Sequence, residues 1–521
     1  MVSMSELKKW EKRIAEKPPR LVKEELEKAL EKAKIPERLF LLCYLCEVTE
    51  KLGDYVLQYK TAHEAVSILR TGGNFLPKQW ISNLHVIFAH SAMLLGEFDV
   101  CEKEYLQAVE TKQTLHEKLD IMTSYILASH YQSYDSAIIW KRQQMYAGLI
   151  ENIQPLPPVT RVQQAKIRVG YLSPNFHRHA MFPIYLCFFE AYNRKEFSVT
   201  GYQLNCYADE CTRKLKNLAD GWREVYDLSY EEIARLIRED EIDILVDLAS
   251  HLAGTGLPVL AFRPARVHIS GLGSLCSTGV KAVDYYITDE ASDPPGLHDA
   301  YFAETPLYLP AQFSYSAPVN APEVTGAPCR RNGYITLGVF QFTPKITEPM
   351  LQIWKDILTA LPSARLLLKS GLLNNSAYRD ILLTRLQKCG LPLERVDLEC
   401  ESGYEEYMQR LQSVDIMLDT YPYTGGSTTL DALYMGVPTV TLYGERRNTR
   451  FGLSILRSVG LDELAADSPD GYRQRVIALA GDWEVLDLLH RNLRNMMMKS
   501  DSCPERYMKH VENAYRQMLG R

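Results

Sequence analysis

Past Pro155-Leu-Pro-Pro158 the apolar residues of this chain change their spacing, and no other feature limits its fold as sharply. From residue 5 to about 150 glycines are few and the pattern is helical, with a charged amphipathic helix predicted over 21–34 between Pro19 and Pro36. Beyond the prolines, short apolar runs alternate with helical stretches. Strands are predicted at 167–172, 198–202, 242–247, 267–272 and 285–288, each about one βα unit from the next. A loop rich in Pro, Ala and Ser over 309–333 leads to a second set, at 334–339, 365–369, 395–398, 415–419 and 439–442, with helices at 348–361 and 379–389 between them. At 521 residues the chain exceeds one ordinary core. The expected fold class is therefore α/β, two doubly wound Rossmann-like domains preceded by an all-α helical domain. The expected boundaries are 1–155 for the helical domain, 160–310 for the first α/β domain and 330–521 for the second. Ligands of such sheets bind beyond the carboxyl ends of the strands, in the cleft between halves. A helix over 504–519 is expected to pack back on one half.

Within the helical part, residues 95–110 are similar to the second half of a tetratricopeptide unit, with weaker echoes near 37–70. A tetratricopeptide-like array and an irregular bundle are both compatible with that pattern. The formal charge of −6, with no broad basic stripe, argues against a nucleic-acid partner. The eleven cysteines show no zinc spacing, and Cys43 and Cys46 fall in an apolar helical run that reads as core. The start, Met1-Val-Ser-Met-Ser-Glu-Leu-Lys-Lys-Trp10, lacks a signal peptide's apolar region, and no apolar run reaches spanning length. A reducing, cytoplasmic setting is the expectation. No G-x-G-x-x-G follows the first strand of either set, which argues against a dehydrogenase, and no P-loop is present.

One stretch carries chemistry. Leu418-Asp-Thr-Tyr-Pro-Tyr-Thr-Gly-Gly-Ser-Thr-Thr-Leu-Asp431 reads as a buried strand, a loop and the start of a helix. Gly425 and Gly426 let backbone approach a ligand closely. Ser427, Thr428 and Thr429 offer hydroxyls and free amides at a helix N-terminus, a ready anion site. The same hydroxyls are expected to cap the helix. Asp431, just inside, suits a sugar hydroxyl, so phosphate plus ribose suggests a nucleotide.

Five ordered blocks then resemble one family. They are Arg168-Val-Gly-Tyr-Leu-Ser-Pro-Asn-Phe-His-Arg-His179; Asp243-Ile-Leu-Val-Asp-Leu-Ala-Ser-His251 with Phe262-Arg-Pro-Ala-Arg-Val-His-Ile; Gly271-Leu-Gly-Ser-Leu-Cys-Ser-Thr-Gly279 with Val283-Asp-Tyr-Tyr-Ile-Thr-Asp289; Phe340-Gln-Phe-Thr-Pro-Lys345; and the stretch above with Gly444-Glu-Arg-Arg-Asn-Thr-Arg450. Over residues 165–519 the chain resembles the protein O-GlcNAc transferases, bacterial members and SPINDLY-type relatives included, of glycosyltransferase family 41. The resemblance implies a GT-B arrangement of the two α/β domains. It implies an inverting transfer of a sugar, GlcNAc first, from a UDP-sugar to Ser or Thr of protein acceptors.

Roles carried by the resemblance follow the matching positions. Lys345 is expected to face the diphosphate and His179 to face donor and acceptor, as catalytic groups. Tyr407, Tyr423, Gly425, Gly426, Ser427, Thr428, Thr429, Asp431, Arg450 and His251 are expected around the nucleotide-sugar, with Ser427 and Thr428 on the β-phosphate, Asp431 on the ribose and Tyr407 against the base. Arg446 and Arg447 are expected in solvent. No metal and no cofactor are expected, since the usual Asp-x-Asp site is missing from the sequence and the UDP-sugar is a substrate. The N-terminal helices are candidates for acceptor selection or self-association. The chain departs from the family pattern at Pro183 (a second histidine), Ser250 and Cys276 (glycines), Phe342 (Gln or Asn) and Gly426 (a histidine in animal members). Those departures keep an Asn-directed glucosyltransferase and an O-fucosyltransferase in view beside the leading reading. A non-catalytic helical scaffold is the alternative of another class.

Overall fold

The computed structural model describes residues 4–71, 76–112, 114–160 and 165–520. The first three residues, on which the reading of the chain's start partly rests, and Arg521, the outer bound of the last expected domain, lie outside the described residues. The chain forms two compact units. One gathers the described residues up to Gln132 with Phe342–Pro344 and Ser370–Leu386; the other gathers Ser133–Gln341, Lys345–Lys369 and residues from Gln387 on.

The first unit is built on helices α1 (Met4–Glu16), α2 (Pro19–Leu30), α3 (Glu37–Lys51), α4 (Tyr55–Arg70), α5 (Lys78–Leu95), α6 (Phe98–Thr111) and α7 (Leu115–Ser129). The amphipathic helix predicted over 21–34 begins earlier and stops at Leu30. Pro19 sits in its first turn, where a missing N–H costs nothing, and Pro36 disfavours helical backbone just before it. Val22, Leu26 and Leu30 point inward at i, i+4 and i+8 and join a core with Leu39, Leu45, Cys46, Val66 and Phe88. Each fully buried aliphatic side chain there contributes about 1.5–3 kcal/mol. Gly96 ends α5 in the left-handed conformation (φ +82°), and Glu97 N–H returns to Ala92 C=O at 2.9 Å. Inside the bundle the buried Glu104 carboxylate takes a hydrogen bond from Arg70 and lies 2.6 Å from His85 Nδ1.

The second unit begins with helix α8 (Ser136–Ile150) and then holds two parallel sheets. Strands β1 (Ile167–Ser173), β2 (Phe197–Gln203), β3 (Gly221–Glu224), β4 (Ile244–Asp247), β5 (Val267–Ser270), β6 (Tyr285–Thr288) and β7 (Thr305–Tyr308) lie in the order β3-β2-β1-β4-β5-β6-β7. Strands β8 (Thr336–Val339), β9 (Arg365–Lys369), β10 (Val396–Glu399), β11 (Ile416–Leu418), β12 (Thr439–Leu442) and β13 (Ala465–Ala466) lie in the order β10-β9-β8-β11-β12-β13. Val169 pairs with Ile244 across β1 and β4, and Leu337 with Ile416 across β8 and β11. Central strands β4, β5, β8 and β12 are buried at every residue, as expected where helices cover both faces of a parallel sheet. The unpredicted strands β3 (Gly-Trp-Arg-Glu), β7 (Thr-Pro-Leu-Tyr) and β13 are all sheet edges, where polar residues and proline are tolerated.

The final helix, Pro504–Met518, returns to the first sheet. Tyr515 Oη lies 3.3 Å from Tyr171 Oη of β1, and Asn193 N–H donates to Glu512 at 2.6 Å. Among the described residues no helix is long and apolar enough to cross a membrane.

Candidate active site

In each sheet the strand order reverses beside the first strand, between β1 and β4 and between β8 and β11. Crevices open at such reversals, beyond the carboxyl ends of the strands. Four loops leave the sheets there. They carry His179 after β1, Ser250 and His251 after β4, Lys345 after β8, and Gly425–Ser427 after β11.

The β11 loop is held from below by Asp419. Its buried carboxylate accepts from Thr420 N–H (2.8 Å), Gly425 N–H (2.7 Å) and Thr441 Oγ1 (2.7 Å). Helix Ser427–Tyr434 then starts with Gly426 as its N-cap and without a side-chain cap. The expected capping by Ser427 or Thr428 is therefore corrected. Both already lie inside the helix as its first residues, half-buried, where first-turn amides have no partner within the helix. Thr429, expected beside them, is buried and its hydroxyl donates to Gly425 C=O at 3.2 Å.

The two glycines differ. A Cβ on Gly425 would lie 2.5 Å from Gln341 Nε2 and 2.8 Å from Thr429 Oγ1, whereas one on Gly426 would meet nothing within 4 Å. Gly425→Ala is expected to destabilise the loop by about 1–3 kcal/mol through overpacking, and Gly426→Ala to cost little. Scanning calorimetry of each variant measures both.

Lys345 closes the short 3-10 turn Thr343–Lys345, and its ammonium sits 3.8 Å from the centre of the Tyr423 ring. Burial lowers its pKa to about 8, against the opposing charge of Asp419. Burial likewise pushes Asp419 up to about 6. Asp431 is also buried and raised to about 6. Its Oδ1 accepts from Tyr315 Oη at 2.6 Å and Tyr404 Oη at 3.2 Å, and the Tyr407 hydroxyl lies beside both Asp431 and Thr428. Tyr404 and Tyr407 stack with ring centres 6.0 Å apart, an aromatic wall beside the carboxylate.

His179 is half-buried. Burial, with His177 second, holds its pKa near 4, so the ring is neutral in the working range. Its Nδ1 accepts Met181 N–H at 3.2 Å, which leaves the ring proton on Nε2. In that tautomer Nε2 is a hydrogen-bond donor rather than a base. His251 is buried. Its Nε2 is spent on Thr278 C=O (2.9 Å) and its ring meets the edge of Tyr146 at 4.7 Å, leaving Nδ1 as its open polar atom. Arg450 braces the β12 loop, donating to Ala291 C=O (2.6 Å) and Gly444 C=O (2.7 Å).

Arg446 and Arg447, expected in solvent, are both buried. Arg447 crosses from the second half to the first. It pairs with Asp293, donates to Thr288 Oγ1 (2.6 Å), Ile287 C=O (3.1 Å) and Ser274 C=O (3.2 Å), and lies over the Tyr286 ring at 4.5 Å. Ser454 Oγ to Asp289 (2.6 Å) and the 2.7 Å contact between His298 Nε2 and Glu445 C=O add to the same junction. Asp419, Arg446 and Arg447 were not singled out as functional by sequence. The available signal was three arginines within Gly444–Arg450, directly after a buried strand.

Comparison with known proteins agrees with this geometry. The profile described as Glycosyl transferase family 41 matches residues 154–316 and 332–508. The chain is 34% identical over 369 residues to the probable UDP-N-acetylglucosamine–peptide N-acetylglucosaminyltransferase SPINDLY of Solanum lycopersicum, covering 70% of this chain and 40% of that protein. It is 36% identical over 359 residues to the same-named protein of Arabidopsis thaliana, covering 68% and 39%. The chain thus spans about two-fifths of the length of these relatives. Among solved structures, a mutant of the Thermobaculum terrenum O-GlcNAc transferase superposes with a TM-score of 0.86 at 28% identity, over 99% of this chain and 98% of that one.

Proposed function

Because the chain belongs to glycosyltransferase family 41, we propose that it is an inverting protein glycosyltransferase that moves a sugar, GlcNAc first, from a UDP-sugar to Ser or Thr of protein acceptors. The observation that carries this reading is the gathering of four loops at the two strand-order reversals, with a half-buried cation and an open helix N-terminus at one of them. A diphosphate leaving group gathers negative charge as its bond to the anomeric carbon breaks, so fixed positive groups aimed at it lower the barrier most. Lys345 and the amides of Ser427 and Thr428 supply that charge. Asp431 takes the ribose, the Tyr404–Tyr407 wall the base, and His179 donates a hydrogen bond through Nε2. The acceptor oxygen attacks the anomeric carbon from the opposite side as the bond to UDP breaks, the hydroxyl proton passes to the departing β-phosphate or to water, and inversion follows. Residues 160–310 would serve the sugar and acceptor, and residues 330–521 the nucleotide.

We assign no metal to the reaction, since Lys345 and the helix amides occupy the role a divalent cation would otherwise fill. A reducing, cytoplasmic setting suits the free thiols. The test is a panel of UDP-GlcNAc, UDP-glucose and GDP-fucose with Ser-, Thr- and Asn-bearing peptides, with and without EDTA, read by intact mass. GlcNAc on Ser or Thr is expected at undiminished rate in EDTA. Glucose on Asn, fucose on Ser or Thr, or no transfer with any donor would each replace the reading.

The acid–base groups set a window. Lys345 is charged below about 8, and Asp419 and Asp431 are ionised above about 6. The value of kcat/KM, which reports the free enzyme, is expected to rise as pH passes about 6 and to fall as pH passes about 8. A steady-state pH profile with saturating acceptor checks both limbs. A flat profile from pH 7 to 10 would remove Lys345 from the phosphate role.

A further inference from the structure

Two segments that follow β8 and β9 of the second sheet, Phe342–Pro344 and Ser370–Leu386, belong to the helical unit, and one of them runs directly into Lys345. Their contacts are specific. The Tyr378 side chain, on helix Ser376–Lys388, is buried, and its hydroxyl donates to Leu94 C=O at 3.1 Å. Leu94 lies in the last turn of α5, where carbonyls lack a helical partner. The same hydroxyl lies 2.8 Å from Thr343 Oγ1. A tyrosine hydroxyl has one proton and Leu94 takes it, so Thr343 donates and Tyr378 accepts. The donors therefore run in one direction, from Thr343 through Tyr378 to the end of α5. Asn375, just before the helix, accepts from Tyr378 N–H at 3.0 Å and donates to Asp54, the N-cap of α4, at 3.3 Å. Beside Thr343, the Phe342 ring meets Tyr131 at 6.3 Å, and Tyr131 stacks on Phe98 at 5.8 Å. Phe342 stands where the family carries an amide, and its packing against Tyr131 gives the aromatic ring a role.

We propose that Tyr378 is a positioning residue for the glycosyl transfer, locking Thr343 and with it the Thr343–Lys345 turn that carries the Lys345 ammonium. The proposal rests on the reading of Lys345 as the diphosphate cation. Thr343 and Pro344 are both buried, so a shift of the turn has no slack to absorb it before reaching Lys345. Displacement of a catalytic group by about 1 Å can cost as much as a hundredfold in rate.

The test uses the full chain and two variants that remove one hydroxyl each, Tyr378→Phe and Thr343→Val. Each is expected to lower kcat about tenfold with donor KM changed less than about twofold, because a misplaced cation costs most where charge develops. The descending pH limb should also move upward from about 8, as Lys345 loosens into a wetter site. The double variant should match either single one, since both break the same link. Calorimetric titration of UDP between pH 6 and 10 reads the same limb without transfer. Wild-type kcat and an unmoved limb in both singles, or fully additive losses in the double variant, would overturn the proposal. Wild-type protein that binds UDP but transfers nothing would instead overturn the functional reading. The UDP titrations then decide on Tyr378 alone.

Discussion

Replacing Lys345 by methionine is expected to lower kcat by two to three orders of magnitude, on the order of 3–4 kcal/mol of lost transition-state stabilisation, and to weaken UDP binding far less. Methionine keeps the length of the stem and its contact with Tyr423, so the change removes the charge and little else. The ammonium is held where burial already strips water from it, and it lies close to the buried Asp419. In the proposed transfer such a cation would act with little screening on the charge that develops as UDP departs. Single-turnover transfer and UDP calorimetry on the same preparation separate the two effects. Equal losses in kcat and UDP affinity would make Lys345 a nucleotide anchor rather than a transition-state group. Methionine is also expected to abolish the descending limb near pH 8, since nothing is left there to deprotonate.

Replacing Arg447 by leucine strikes stability instead. Arg447 and Asp293 are each about 3% exposed, so the variant leaves a buried carboxylate without its cation. Removing one partner of such a pair costs about 3–5 kcal/mol. Thr288, Ile287 and Ser274 lose their donor as well. The melting transition is expected to fall by roughly 10 °C, measured by calorimetry. Pairing Arg447→Leu with Asp293→Leu recovers part of the loss, because the stranded charge goes too. A shift of a degree or less in the single variant would mean that the pair holds nothing together.

The fold was legible in the sequence where burial writes a strong pattern. Strands such as β4 and β12, covered on both faces, show as unbroken apolar runs. Edge strands β3 and β7 carry Arg, Glu, Thr and Pro and merge with their loops. The loop after β11 stood out because glycines, hydroxyls and Asp431 lie within seven residues of each other. The orientation of its hydroxyls did not. Whether Thr429 faces a ligand or its own backbone depends on one residue of helix register, and Gly426 rather than Ser427 takes the cap. Arg447 was misread because its partners Asp293 and Thr288 stand 154 and 159 residues upstream. An arginine pair in a loop reads as solvated until the fold brings a carboxylate to it. Phe342 showed in the sequence only as a departure from an amide-bearing position, and its packing against Tyr131 appears only in the fold.

The return of the last helix to the first sheet has a consequence for how the molecule is made. Tyr171 of β1 and Asn193 before β2 find their partners in Tyr515 and Glu512, more than three hundred residues later in the chain. A growing polypeptide therefore exposes one flank of its first sheet during the whole synthesis of the second, although domains ordinarily fold in order from the N-terminus. The earlier half is the last to be finished.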